Sequence, residues 1–201
     1  MKELPFQDKF AKNVNVANAA DVINFVAEIE KQPAIEGAVL DTVTFLMDMY
    51  ERQYVRNSHN GQKAWGDYGA FYGDLIHAIK AGTKDYAIFA HEETVYNEDA
   101  MATESKIPIK GAVGKKGMEA DFTTILAAKQ IPVKVLDEHP NDLLTITDEE
   151  REDGVKYVFQ TRPFQGTGDK TRSAMRLWSR KELYIDNDLE LVFKRLKEYY
   201  T

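Results

Sequence analysis

The chain has 201 residues, 43% hydrophobic and 29% charged, enough for one domain with a sizeable core and unlike a disordered segment. Its formal charge of −7, from 26 Lys and Arg against 33 Asp and Glu, argues against a general polyanion binder but leaves room for a local basic strip. The absence of cysteine excludes disulfides, thiolate metal sites and cysteine nucleophiles and fits a cytoplasmic protein, and no stretch has the ~18 apolar residues of a membrane helix.

Residues 13–16 read as a short strand. Asn18 suits a helix N-cap, and Val22, Ile23, Phe25, Val26 and Ile29 follow at helical spacing, which predicts a helix over 19–31. The apolar run 38–42 ends in Asp41 and Thr42, and Phe45, Leu46, Met49 and Tyr50 then resume a helical period. An apolar strand, a terminal acid and a helix are the pattern of a buried parallel strand whose carboxyl end faces a ligand crevice. Residues 56–63 read as a polar loop, and 65–81 as a helix weakened by Gly66, Gly69 and Gly73. Residues 86–90 form a second apolar strand, ending at His91 and Glu92; 97–105 read as an exposed, mobile loop. Segments 122–128, 132–136 and 157–161 read as antiparallel strands, the acidic run 148–154 as a solvated turn, and 187–200 as a terminal helix. The expected class is α/β: parallel strands alternating with helices, then an antiparallel extension, in a single domain over 1–201.

The chemistry centres on the strand ends. A carboxylate such as Asp41 at the end of a buried strand can hold Mg²⁺ beside nucleotide phosphates, or cap a helix, and Thr42 can share either task. If the two apolar strands are neighbours, His91 and Glu92 lie beside Asp41, where they can sense a γ-phosphate or orient water; otherwise they are polar strand ends meeting solvent. Further on, Gly166-Thr-Gly-Asp-Lys170-Thr-Arg172, with Arg162 and Arg176 nearby, offers phosphate contacts or a solvated basic turn. A phosphate-cradling loop reads G-x-x-x-x-G-K-[ST]. The one Gly-Lys pair, Gly114-Lys115, is followed by Lys116, and Ile109 stands where the first glycine belongs, so this is not a Walker A loop. Lys110, Lys115 and Lys116 remain candidates for DNA phosphate contacts or for a solvated turn. The scattered His59, His77, His91 and His139 lack zinc-ligand spacing.

The ordered set VLDTVTFLMDM (39–49), AIFAHEE (87–93), IKGAVGKKGMEADFTTILAAK (109–129), YVFQTRPFQGTGDKTRSAMRLWS (157–179) and YIDNDLELVFKRLKEYY (184–200) resembles phage RecA-like P-loop ATPases linked to single-strand annealing and recombination. The resemblance covers most of the chain from about residue 13. It implies that Asp41 is the Walker B acid and Mg²⁺ ligand, with His91 and Glu92 at the γ-phosphate-sensing position. It also implies that Lys170 and Arg172 are the paired basic residues that contact ATP across a subunit interface, and that 94–106 is a DNA-facing loop; Thr42, beside Asp41, is the further nucleotide-binding candidate. In that family a P-loop strand and helix precede the segment that starts here near Asn13. The resemblance therefore implies an incomplete RecA-like core whose sensor strand has an open edge. Another polypeptide bearing the P-loop, or a second RecA-like subunit, would cover it in an oligomer, with ATP, Mg²⁺ and single-stranded DNA as ligands. The alternative is a catalytically inactive RecA-like protein that docks on a recombinase.

Overall fold

The computed structural model describes residues 10–98, 101–164 and 170–201. The chain forms two compact units: one comprises the residues up to His91 together with Ile107–Gly117, the other Glu92–Lys106 with Met118–Thr201. It is a mixed α/β protein with small parallel and antiparallel sheets.

The first unit contains helix α1 (Asp21–Glu30), strand β1 (Gly37–Leu40), helix α2 (Val43–Tyr50), helix α3 (Gly61–Ala81), strand β2 (Asp85–Ile88) and helix α4 (Gly111–Lys116). β1 and β2 run parallel in the register Gly37↔Asp85 to Leu40↔Ile88, with α2 and α3 between them in the chain, as the alternation of apolar runs and helical periods predicts. The strands approach so closely at Gly37 that a Cβ there would collide with the Asp85 carbonyl. α1 contributes Val22 and Val26 to the core, α2 contributes Val43, Leu46 and Met47, and α3 contributes Tyr68, Phe71, Tyr72, Leu75 and Ile76. The Glu30 carboxylate at the end of α1 ties down the turn into β2. It accepts from the Thr83 N–H at 2.8 Å and from the Tyr86 hydroxyl at 2.8 Å. The Thr83 N–H, above all, holds the Glu30 carboxyl below its usual pKa, while burial pushes the Tyr86 phenol up.

Three expectations in this unit are corrected. Residues 13–16 form no strand: the adjoining backbone bonds instead to the Gln53 amide, which accepts from the Ala19 N–H at 3.0 Å and donates to the Ala17 carbonyl at 2.8 Å. Asn18 caps a turn one step early, its Oδ1 accepting from the Ala20 N–H, so the regular helix starts at Asp21. The loop expected over 56–63 stops at Asn60, whose side chain accepts from the Lys63 N–H at 3.0 Å and starts α3 four residues before Trp65. Between α2 and that loop, Glu51–Val55 winds as a π-helix, a widened turn that moves the Glu51 side chain inward.

The second unit holds hairpin β3 (Glu93–Asn97) and β4 (Ala102–Lys106), then β5 (Ala127–Pro132), α5 (Val133–Leu136), α6 (Asp148–Asp153), β6 (Val155–Gln160), β7 (Tyr184–Asp186) and α7 (Leu189–Tyr200). β5, β6 and β7 form an antiparallel sheet in that order. At the Phe159 end of β6, successive side chains point to opposite faces and enter different cores, while Tyr157 and its neighbour Gln130 on β5 stay exposed. Phe159 joins Leu177, Trp178, Ile185 and Val192 beside α7, whereas Val158 joins Leu136, Leu183 and Tyr184 beside α5.

Here too the structure departs from several expectations. The loop expected over 97–105 is part of the β3–β4 hairpin, paired from Glu93↔Lys106 to Asn97↔Ala102; Asp99 and Ala100 lie outside the described residues. Of 122–128 only the last two residues are in a strand, and Ile125 makes an isolated bridge to Arg172. Residues 133–136 turn helical directly after Pro132, which cannot donate to a ladder. The acidic run 148–154 is mostly helix, started by a reciprocal capping box in which Thr147 accepts from the Glu150 N–H and Glu150 from the Thr147 N–H. Its three leading acids sit at the favourable end of the helix dipole.

Candidate functional site

Because β1 and β2 are parallel neighbours, the segments leaving their carboxyl ends meet. The Phe89 N–H donates to the Leu40 carbonyl at 3.0 Å, and the Val43 N–H donates to the Phe89 carbonyl at 2.9 Å. Farther along, the His91 N–H donates to the Thr44 hydroxyl at 2.9 Å, and the His91 ring packs edge-on against Phe45 at 4.6 Å. These contacts lace 89–91 across the β1–α2 turn that carries Asp41 and Thr42. Asp41 is exposed and joined to Thr42 by a cis peptide. Thr42 is buried, and its hydroxyl caps α2 by accepting from the Phe45 N–H at 3.3 Å. The surface around this turn is apolar: Val39 is 37%, Phe89 38% and Phe45 58% exposed.

The other candidates lie in different settings. Glu92 belongs to the second unit, where its carboxylate pairs with Lys129 at 3.4 Å. In the first unit, the Lys110 ammonium grips both oxygens of Glu51, at 3.0 and 2.8 Å, and Arg56 Nε adds a third contact at 3.2 Å. Lys115 and Lys116 are exposed in the last turn of α4, where cations suit the helix carboxyl end. Gly114 owes its place to packing, since a Cβ would run into the Ile109 carbonyl. In the second unit, Lys170 pairs with Glu119 at 3.3 Å, and the Arg172 backbone exchanges two hydrogen bonds with Ile125, at 2.7 and 3.0 Å. The Gly166-Thr-Gly-Asp part of that motif lies outside the described residues. Arg172 also lines a pocket of about 370 Å³, together with Arg162 and Arg176.

Sequence reasoning missed Glu51, whose side chain is only 9% exposed. Its cationic partners hold it, the Lys110 ammonium foremost, and they keep its carboxyl below the usual pKa. Because the folded pKa is the lower one, this contribution to stability is complete above the unfolded value of about 4.3 and is lost as pH falls through the folded value. Glu51→Gln is therefore expected to unfold at lower temperature than the parent at pH 7, with the gap closing in strong acid. Thermal unfolding followed at both pH values checks this, and an unchanged gap would refute it.

Among the described residues, no cluster of three His, Cys, Asp or Glu could hold a metal ion, and no helix is long and apolar enough to cross a membrane. No family model matches the chain, and no curated protein or solved structure does so either.

Proposed function

We propose that the chain is the carboxyl-terminal part of a phage-type RecA-like ATPase of DNA recombination or replication, completed by a P-loop from another polypeptide. One observation carries the reading: β1 and β2 are parallel neighbours whose carboxyl ends are laced together with Asp41 and His91 on that rim. Parallel strands normally lie inside larger sheets covered on both faces. Among the described residues this pair has no third strand, and apolar side chains remain exposed at its end. A P-loop strand adding to the edge of β2 would cover that liability and bring phosphate-binding N–H groups to the rim.

In this reading Asp41 orients Mg²⁺ that arrives with ATP. One exposed carboxylate fits that role, since Mg²⁺ on a nucleotide draws most of its ligands from phosphates and water. His91 faces the γ-phosphate. Lys170 and Arg172 reach a neighbouring subunit, and Lys115 and Lys116 meet DNA phosphates. The second reading, a docking protein without catalysis, draws support from Thr42, whose hydroxyl is committed to capping α2, and from Glu92, paired with Lys129.

The test is to purify the chain with and without a Walker A-bearing product of a neighbouring gene and assay ATP hydrolysis. The isolated chain is expected to have none and to bind Mg·ATP no tighter than about 1 mM; the mixture is expected to turn over ATP. Turnover by the isolated chain, or none by any such mixture, overturns the proposal.

A further inference from the structure

The pocket of the second unit concentrates positive charge in an acidic protein. Arg162, Arg172 and Arg176 line it, and among the described residues no carboxylate pairs with any of the three guanidinium groups. The same wall includes Thr171 and Trp178, whose Oγ1 and Nε1 are buried without a hydrogen-bond partner among the described residues. Trp178 is only 4% exposed. Buried polar atoms are normally hydrogen-bonded, so these two stand out beside the pocket. The backbone adds a third sign: Arg176 has φ of 67°, in the left-handed region that ordinary side chains avoid and that recurs at ligand sites.

We infer that this pocket binds a small phosphate monoester. Three arginines with no carboxylate partner among the described residues match the dianionic phosphoryl group of a monoester better than the single charge of a phosphodiester. A volume of about 370 Å³ holds one small organic phosphate. The formal charge of −7 opposes a long polyanion, which must meet the rest of the surface, but scarcely affects a compact ligand inside a local cationic pocket. Pro163 and Met175 supply apolar surface for the organic part. The site needs no P-loop partner, so its failure would leave the ATPase reading standing.

The two tryptophans provide the readout. Trp178 belongs to the pocket and Trp65 to the first unit, so their indole N–H resonances serve as probe and internal control. The labelled chain is titrated with inorganic phosphate, AMP, adenosine and a 20-nucleotide single strand. Phosphate and AMP are expected to shift the Trp178 resonance saturably, with Kd of about 1 mM or below for AMP, while adenosine leaves it in place and Trp65 does not move. Arg172→Ala is expected to weaken AMP about ten- to a hundredfold. Arg176→Gly should weaken it similarly while raising the unfolding temperature, because glycine accepts the left-handed backbone; this keeps a binding loss distinct from misfolding. No movement of Trp178, AMP affinity in both arginine variants equal to the parent's, or an oligonucleotide that outcompetes AMP through the same arginines overturns the assignment.

Discussion

Asp41→Ala is expected to lower ATP turnover by the partner-completed assembly at least about a hundredfold, while leaving the isolated chain's unfolding within about 0.5 kcal/mol of the parent. The two halves of this expectation come from different facts. Asp41 sits on an exposed turn, so its side chain contributes little to packing. The turn itself is held by others: Thr42 caps α2, and the Phe89 and His91 backbones lace it to β2. Removing the carboxylate therefore removes a charge at a fixed place without loosening the place. In phosphoryl transfer nearly all the protein's effect is positioning and electrostatics, so losing the acid that orients Mg²⁺ acts on the barrier itself. Steady-state ATPase assays and calorimetry on the same preparation check both halves. The docking alternative expects the reverse: Asp41→Ala without effect, and Arg172→Ala abolishing complex formation. Full turnover by the Asp41 variant would remove the Walker B role.

The parts of the fold that were legible are those whose cause is local. Ala38-Val39-Leu40 and Tyr86-Ala87-Ile88 announce strands by composition, and their polar ends mark where the chain leaves the sheet; the burial expected of them is only partial, with Val39 exposed and the other positions half-buried. The adjacency of the two strands is not local. It depends on Gly37 letting Asp85 approach and on Glu30 fastening the Thr83 turn, contacts about fifty residues apart in sequence. The capping box at Thr147 and Glu150 was readable, yet the crowd of acids around it suggested a solvated turn. The β3–β4 hairpin was hidden because its segment is polar and lacks the alternation of a half-buried strand. Lys110 illustrates the limit for sites: sequence offers a cation, and only the inward π-turn at Glu51 shows that an acid already holds it. The arginine pocket was visible as a basic segment. What makes it a pocket is the return of 170–178 against the end of β6, through the Ile125–Arg172 bridge.

Leu75→Ala is expected to cost the first unit about 2–5 kcal/mol, a large fraction of the stability of an ordinary domain. Leu75 is fully buried on the face of α3 that also buries Tyr68, Phe71, Tyr72 and Ile76. Aromatic rings collapse poorly around a missing isobutyl group; Tyr50 already stacks on Phe71 at 4.3 Å and meets Tyr68 edge-on at 6.0 Å, so little of the void can be refilled. The helix has no reserve of intrinsic propensity to offset the loss. Gly66, Gly69 and Gly73 each forfeit about 1 kcal/mol relative to alanine, and none has a neighbour that a Cβ would touch, so α3 persists by its packing rather than by its backbone preference. Denaturant unfolding followed by Trp65 fluorescence measures the cost, because that ring meets Tyr68 edge-on at 5.2 Å and senses the same core. A loss below about 1 kcal/mol would mean that the α3 core is loose enough to close over the gap, and the rigid seating of the β1 and β2 strand ends would lose its foundation.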